Sequence, residues 1–575
     1  MKAHPDPQKQ TLFRGPRSGV RALLWVLPLL FLGIFFYQPL FAIFSLIFSP
    51  RFSSGWEAFS WNSLLKPLGF TFSQAFLSTL LTLALGLPSA YIFSHFTFKG
   101  KRTLRLLSAL PFILPTVVVA AGFNALLGPR GWVNLGLMAL FGLEKAPIQF
   151  LNTFGAILIA HVFYNTTIMI RIVSNAWANH NERLDQAAQM LGAKPWQVFK
   201  EITLPLLSPS ILAASLLVFL FNFTSFGVVL MLGGPGFETL EVAIYTQAFH
   251  RFNLPIAGLL SIIQLICTLG ITIFYNRISR KQLASKAQNI QKITPRKTRS
   301  LAEKIWVALL VIILIVLIIS PLAALIARSF ARLEPARGER SGFEYGFTAA
   351  YYQELFTNRQ GSIFYVPPIE ALKNSLLYAG ITIIITLFLG ISLAYALTHS
   401  SWASRLLDPL IMLPLGASAV TLGLGFIIVF NTAPWNNPNL PLLLPIAHSL
   451  IALPFVVRSL MPAIRKIPPS LRQAASVLGA SPLRVFREVD LPLLTRAILV
   501  SMIFAFTISL GEFGASSFIT TPDNPTIPVA IYRYISQPGA LNYGQALAMS
   551  TLLLLVCSAG IILIEKLRLP GEEVF

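Results

Sequence analysis

Long apolar runs separated by short polar segments dominate the sequence. A helix needs about 20 mainly apolar residues to cross the hydrocarbon core of a bilayer, and such runs recur along the whole chain. The pattern therefore predicts an all-α integral membrane protein with twelve transmembrane helices. The expected spans are residues 22–48, 71–96, 105–128, 152–175, 206–232, 254–276, 305–330, 373–398, 405–430, 442–463, 493–515 and 545–565.

The composition agrees with exposure to lipid. Apolar residues make up 55% of the chain and charged residues only 11%, whereas an average soluble domain carries about 25% charged residues. The first apolar run follows five basic residues, as in a signal peptide. It is longer than the roughly 7–15 apolar residues of such a peptide, so we interpret it as a retained first span.

Basic residues are distributed unevenly between the two sides of the predicted bundle. With the N-terminus inside, 32 of the 44 Lys and Arg residues fall in cytoplasmic segments. Cytoplasmic loops of membrane proteins are enriched in these residues, so we expect both termini to be cytoplasmic. The net charge of +22 is spread over short clusters between apolar runs. That arrangement argues against a nucleic-acid partner, which would require one basic face.

The chain contains an internal repeat. Residues 184–207 match residues 471–494 at 15 of 24 positions without a gap, at an offset of 287. Two copies in the same order, with six spans each, form parallel repeats related by an axis along the membrane normal, and this arrangement is typical of transporters. The expected units are the N-terminal segment 1–21, the first repeat 22–276, the basic linker 277–304, the second repeat 305–566 and the tail 567–575.

A cytoplasmic loop, at about 182–205 and 469–492, is the most similar part of the two repeats. Each copy predicts a short helix that ends at a glycine in the left-handed conformation, Gly192 or Gly479. A proline, Pro195 or Pro482, then begins a second short segment that presents an apolar knob. Such an elbow suits a groove on a cytoplasmic partner or the headgroup layer of the membrane. Two copies favour a partner with two matching grooves.

The repeated loop resembles the E-A-A-x3-G-x9-I-x-L-P signature of type I ABC importer permeases. Glutamine replaces the leading glutamate in both copies, and Val489 stands in the isoleucine column of the second. The resemblance implies that each loop contacts a cytoplasmic ATPase subunit. The residues expected to couple to that subunit are Gln186, Ala187, Ala188, Gly192, Trp196, Phe199, Pro205, Gln473, Ala474, Ala475, Gly479, Leu483, Phe486 and Pro492.

The resemblance extends over nearly the whole chain. Fused twelve-span permeases are typical of the thiamine and iron(III) branch of that family, which is related to sulfate and molybdate permeases. The stretches at 160–165, 223–234 and 240–245 look most like thiamine permeases, whereas 509–515 is shared more widely. The resemblance implies a protein of the bacterial inner membrane with two ATPase subunits and an external binding protein as partners. Thiamine is the expected solute, and iron(III), sulfate or molybdate are alternatives.

The sequence has no motif of a catalytic site. A phosphate-binding G-x-x-x-x-G-K-[ST] is absent, as are H-E-x-x-H and G-x-S-x-G. Cys267 and Cys557 both lie within apolar runs, and we interpret them as small buried side chains. We therefore expect no enzyme activity, no cofactor and no metal, and ATP hydrolysis by a separate subunit.

Polar residues within the spans are candidates for a pathway, because burial of a charge in hydrocarbon is costly. Glu512 is expected either to line a gate or to form a structural hydrogen bond. His161 and His448, which are equivalent in the repeat, are expected to bond between helices or to act on solute or protons. The residues expected at the pathway or gate are His161, Phe226, Gly227, His448, Glu512, Phe513 and Gly514.

Two other function classes compete with an importer permease. A secondary transporter also contains twelve spans in two parallel halves, but it has no ATPase to which two cytoplasmic elbows would bind. A membrane enzyme or assembly factor would need convergent ionisable residues at one membrane depth, and the spans contain few of them. The repeated elbows therefore favour the ATP-driven importer.

Overall fold

The computed structural model describes residues 18–48, 60–285, 295–335, 343–357, 367–398, 402–431 and 441–567. Most of the expected N-terminal segment 1–21 and residues 568–575 of the tail lie outside these ranges. So do residues 286–294 of the linker.

Ten helices of the described residues are long and apolar enough to cross a membrane, and two bent helix pairs bring the number to as many as twelve. The third and ninth of the expected spans are bent helix pairs. The third bends by 109° between Phe112 and Thr116, and the ninth bends by 96° between Gly416 and Ala419. Pro115 disfavours helical backbone at the residue before it, and Leu114 is extended, with φ −68° and ψ 137°.

Among its described residues, the first repeat contains five helices long enough to cross a membrane, one bent helix pair and several short helices. The segment 18–47 passes through a π turn at Gly33–Tyr37. The helices are Ser18–Leu32, Gln38–Ile47, Trp61–His95, Lys101–Leu107, Leu110–Ile113, Thr116–Leu127, Trp132–Phe141, Phe154–Ala178, Glu182–Met190, Pro195–Val198, Leu204–Phe223, Gly227–Leu232, Leu240–Tyr245 and Leu254–Ser285, with π turns at Phe199–Thr203 and Thr246–His250.

The second repeat follows the same order. Its helices are Leu301–Ser329, Ala350–Gln353, Pro368–Thr398, Trp402–Ile411, Leu413–Gly416, Ala419–Phe430, Leu443–Lys466, Pro469–Val477, Pro482–Val485, Leu491–Gly511, Gly514–Ile519, Ile527–Ser536 and Ala540–Leu567, with a π turn at Phe486–Asp490 and a 3₁₀ turn at Glu354–Phe356. Two small sheets complete the described structure, Phe96–Thr97 parallel to Arg296–Lys297 and Ala331–Pro335 antiparallel to Phe343–Phe347.

The fifth and eleventh spans end earlier than the sequence predicts. Hydropathy suggested continuous helices to residues 232 and 515, but the helices end at Phe223 and Gly511 and short helices follow. In the second repeat the side chain of Glu512 explains the break. Its carboxylate accepts hydrogen bonds from the backbone N–H groups of Ala515 and Ser516 at 2.7 and 2.8 Å, and so caps a new helix.

Each repeat packs its first helix against the third span of the other repeat. A methyl group built on Gly122 would lie 2.9 Å from the carbonyl oxygen of Pro321, and one on Gly425 would lie 2.8 Å from the side chain of Pro39. Only glycine allows the helices to approach this closely. One continuous buried apolar cluster extends through both repeats as a result, so the two halves form a single bundle.

Candidate functional site

The first elbow begins with the helix Glu182–Met190, which Asn181 caps through its side-chain oxygen. The helix ends in a Schellman motif, in which the N–H of Ala193 donates to the carbonyl of Ala188 at 3.0 Å. Gly192 has a φ of +89°, as the sequence predicted. A methyl group at this position would have no heavy atom within 4 Å, so backbone conformation rather than space requires the glycine.

The second elbow reproduces the first. The helix Pro469–Val477 ends with the N–H of Ala480 donating to the carbonyl of Ala475 at 3.0 Å, and Gly479 has a φ of +80°. Both copies therefore make the same sharp turn from the same residues. The local sequence alone determines this geometry, because each turn depends on a glycine and on backbone hydrogen bonds within the loop.

Apolar side chains at the two turns are exposed. Leu191 is 89% exposed and Leu478 is 87% exposed, although both lie among polar residues. The sequence analysis missed these positions; the signal was an apolar pair just before the glycine in both repeats. The most exposed large apolar residues of the elbows are Met190, Leu191, Trp196, Val477, Leu478 and Leu483.

The other residues expected to couple to the ATPase differ in their exposure to solvent. The short segment expected to present an apolar knob also contains Val198 in the first repeat and Val485 in the second, and both are buried. Phe199 is half-buried and stacks on Trp196 at 5.8 Å, whereas Phe486 packs against Tyr395. Ala188 and Ala475 are half-buried, and the remaining predicted positions are exposed, namely Gln186, Ala187, Pro205, Gln473, Ala474 and Pro492.

The second arm of each elbow is the start of a long helix rather than a separate segment. Backbone helix runs from Pro195 to Phe223 and from Pro482 to Gly511. A π turn lies just before Pro205 and before Pro492. The wider turn accommodates a proline that would otherwise remove a hydrogen bond and clash with the preceding turn. Displacement of an elbow therefore acts directly on a membrane helix.

Polar side chains fasten each elbow to that helix. In the first repeat Asp185 accepts a hydrogen bond from Thr203 at 3.3 Å and pairs with His180 at 3.0 Å. In the second repeat the acidic residue is on the other side of this contact. Arg472 stands at the position of Asp185 on the elbow helix, and Asp490 stands at the position of Thr203.

The reversed contact is tightly held. The Arg472 guanidinium donates to Asp490 at 2.8 Å, and Tyr395 donates to the same carboxylate at 2.8 Å. Partial burial lowers the pKa of Arg472, but its bond to Asp490 outweighs that effect and the pKa is raised. Each elbow helix and the base of its span thus move together.

The predicted gate residues Phe226 and Phe513 meet at the boundary between the repeats. Their rings stack with centroids 5.4 Å apart and an interplanar angle of 23°. Tyr245 packs on Phe226 at 5.4 Å, and Tyr532 packs on Phe513 at 5.5 Å. Because these four residues form two repeat-related pairs, the contact has the symmetry of the repeat. An aromatic plug therefore fills this boundary.

The two predicted gate glycines do not have each other as nearest neighbours. A methyl group on Gly227 would overlap the side chain of Thr116 and lie 3.1 Å from the ring of Phe513. One on Gly514 would lie 3.0 Å from Ala419. Gly227 therefore allows the ring of the opposite repeat to approach, and Gly514 allows its helix to pack on the ninth span.

His161 and His448 bond between helices, one of the two roles that the sequence suggested. His161 hydrogen-bonds Ser78 at 2.9 Å and Ser225 at 2.8 Å. His448 hydrogen-bonds Ser509 at 2.8 Å and Ser516 at 3.0 Å. His161 thus connects the fourth span to the break that follows the fifth, and His448 connects the tenth span to the break that follows the eleventh. A role for either histidine in the pathway stays a prediction.

Glu512 is held by its own repeat. Besides the two backbone donors, it accepts a hydrogen bond from the Ser516 hydroxyl at 2.7 Å, and His448 Nε2 lies 3.4 Å from its carboxylate. The structural hydrogen bond that the sequence offered as one role is present. The sequence analysis missed a second buried carboxylate nearby, Glu241, although a lone acid within an apolar segment marks it.

Comparison with known proteins agrees with the repeat. The family described as "Binding-protein-dependent transport system inner membrane component" matches residues 82–284 and again residues 386–567. Together these matches cover more than half of the chain. One match covers most of each repeat, and the first continues to residue 284 of the linker.

Several relatives are similar over almost their whole length. The thiamine transport system permease protein ThiP of Escherichia coli is 28% identical over 513 residues, which cover 88% of this chain and 89% of ThiP. The ferric transport system permease protein FbpB of Actinobacillus pleuropneumoniae is 25% identical, covering 98% of this chain and 81% of FbpB. A crystal structure of a bacterial ABC transporter that imports alginate aligns with a TM-score of 0.39 and 22% identity, over 46% of this chain and 95% of that one.

Proposed function

We propose, on the premise that this chain belongs to the family of binding-protein-dependent transport system inner membrane components and is an ABC importer permease, that the solute it carries is thiamine. Similarity to ThiP over 88% of the chain carries this assignment. Iron(III) is the second candidate, because FbpB is similar over 98% of the chain. The external binding protein is expected to set most of the selectivity.

Uptake into proteoliposomes tests the solute. The permease is reconstituted with its ATPase subunits, and its binding protein is added outside after loading with radiolabelled thiamine or with ferric iron. We expect ATP-dependent accumulation of thiamine and none of iron. Accumulation of iron alone, or a binding protein with a tyrosine-rich iron site, would transfer the assignment to iron(III).

Two ATPase subunits are the proposed cytoplasmic partners, one for each elbow. The support is the pair of exposed apolar turns at Leu191 and Leu478, which present the same surface twice. ATP binding and hydrolysis are assigned to those subunits. When they close on ATP, they displace both elbows, and the helices Pro195–Phe223 and Pro482–Gly511 carry this movement to the aromatic plug.

The orientation follows from the same scheme. Because the elbows meet cytoplasmic subunits, single cysteines at Met190 and Val477 should react with a membrane-impermeant maleimide only from the cytoplasmic side. A cysteine at Gly236, in the opposite loop, should react only from outside. The parent for these variants is C267S with C557S, since both native cysteines are free thiols. Labelling of Met190 from outside would contradict the orientation with both termini in the cytoplasm.

A further inference from the structure

A buried carboxylate from the first repeat reaches the boundary with the second. Glu241 lies on the short helix Leu240–Tyr245 and is only 3% exposed. Its Oε1 accepts a hydrogen bond from Gln264 Nε2 at 2.7 Å, within its own repeat. The hydroxyl of Ser418, which belongs to the second repeat, also acts on this carboxylate. This carboxylate therefore bridges the two halves.

The surroundings of Glu241 contain polar atoms without a partner. The side-chain oxygen of Gln264 is buried and has no hydrogen-bond partner among the described residues, although its amide nitrogen donates to Glu241. The Thr421 hydroxyl lies one turn beyond Ser418 on the helix that Ser418 caps, and it is likewise buried without a hydrogen-bond partner in the described part of the chain. Native proteins rarely leave such groups unpaired unless a ligand or water meets them. The cluster thus has unused capacity for hydrogen bonds.

Glu512 supplies a second carboxylate from the opposite repeat. It is 7% exposed and interacts electrostatically with Glu241. Among the described residues, the side chains that act on Glu241 are Gln264, Ser418 and Glu512, and none of these is cationic. The imidazole of His448 lies 3.4 Å from the Glu512 carboxylate, so Glu241 is the acid on which no basic side chain of the described residues acts. A buried acid without a basic partner is costly, so the retention of Glu241 at this boundary calls for a functional account.

Aromatic rings lie beside the two acids. Tyr245 is one turn after Glu241 on the same helix and packs on Phe226, and Phe513 follows Glu512 directly in the chain. Carboxylates combined with aromatic faces are suited to an organic cation. A bare metal ion requires more oxygen ligands, and the described residues contain no group of three or more His, Cys, Asp or Glu side chains placed to hold one.

We propose that Glu241 and Glu512 form a binding step for an organic cation on the pathway between the two repeats. In the structure the site is closed, since Ser418 of the second repeat acts on Glu241 across the boundary and the aromatic rings fill the space beside it. Separation of the repeats moves Ser418 away from Glu241 and opens its carboxylate to the pathway, whereas Glu512 keeps its donors because they belong to its own repeat. The cationic group of the solute then replaces the lost contact.

The inference rests on the proposed function, since thiamine carries a positively charged thiazolium ring. A test that is independent of the solute uses a cysteine in place of Thr421, in the C267S and C557S background. The complete permease and ATPase complex is held with trapped ATP. The reaction rate of this cysteine is then measured with a trimethylammonium methanethiosulfonate and with a sulfonate methanethiosulfonate of similar size.

We expect the cationic reagent to react about tenfold faster than the anionic one, after correction for their intrinsic rates, since two nearby carboxylates attract one charge and repel the other. Glu241→Gln should lower this ratio about threefold, and Glu512→Gln should lower it as well. Glu238→Gln removes a carboxylate only three residues from Glu241 and should leave the ratio unchanged. Thiamine uptake by Glu241→Gln should fall, while the complex still assembles.

The two hypotheses fail in different ways. If the parent complex takes up no thiamine but the ratio falls in Glu241→Gln, the site stands and the solute assignment is wrong. If the ratio is the same in Glu241→Gln and Glu512→Gln as in the parent, the cation site is wrong whatever the solute. Failure of both reagents to reach the cysteine with ATP trapped also overturns the site, because a solute pathway must open to water.

Discussion

Replacement of Gly192 or Gly479 with valine should weaken binding of the ATPase subunits at least about tenfold while the protein remains in the membrane. Both glycines have a positive φ, which costs an L-amino acid roughly 1–2 kcal/mol and a β-branched one more. A penalty of about 1.4 kcal/mol corresponds to a factor of ten in affinity. The measurement is co-purification of the ATPase subunits over a series of their concentrations.

Matched variants separate backbone strain from bulk. Asparagine tolerates the left-handed conformation. Gly192→Asn should therefore retain most of the ATPase binding, although its side chain is about as large as that of valine. Gly236→Val adds the same side chain at an open position without a positive φ and should bind normally. Normal assembly and transport by both Gly192→Val and Gly479→Val would show that the elbow turn does not position the docking surface.

Cysteines in place of Phe226 and Phe513 should crosslink efficiently without nucleotide and fall to background when ATP is trapped. The rings stack across the boundary at 5.4 Å in the closed structure, and the proposed cycle separates them when the ATPase subunits close. The measurement is gel mobility after treatment of the assembled complex with a short bismethanethiosulfonate reagent and proteolysis between the repeats. Cys267 and Cys557 are replaced by serine beforehand.

A pair inside one repeat serves as the reference. Phe123 and Phe163 have centroids 5.6 Å apart within the first repeat, so cysteines at these positions should crosslink equally with and without nucleotide. If the pair at Phe226 and Phe513 is also indifferent to nucleotide, the aromatic plug is an ordinary packing contact and not a gate. The docking role of the elbows would be unaffected by that result.

The membrane class, the repeat and the elbow turns were predictable from the order of the amino acids. Length and hydropathy suffice for the spans because a bilayer imposes one minimum length on every crossing helix. Gly192 and Gly479 were predictable because a left-handed residue ends a helix through local hydrogen bonds alone. Phe226 and Phe513 were expected at one gate as equivalent positions of the repeat, at the offset of 287, but their ring contact is seen only in the folded structure.

Contacts between residues distant in the sequence decided the helix breaks, the packing between the repeats and the surroundings of Glu241. Hydropathy continues across the breaks after Phe223 and Gly511, so only the folded structure shows them, with the Glu512 cap among their causes. The first helix of each repeat packs on the third span of the other repeat because Gly122 fits against Pro321 and Gly425 fits against Pro39. Glu241 gained its significance only when folding placed Ser418, 177 positions away in the sequence, against its carboxylate. A hydropathy pattern contains no information on which faces of the helices meet, because that choice depends on side-chain shape and on hydrogen bonds between spans.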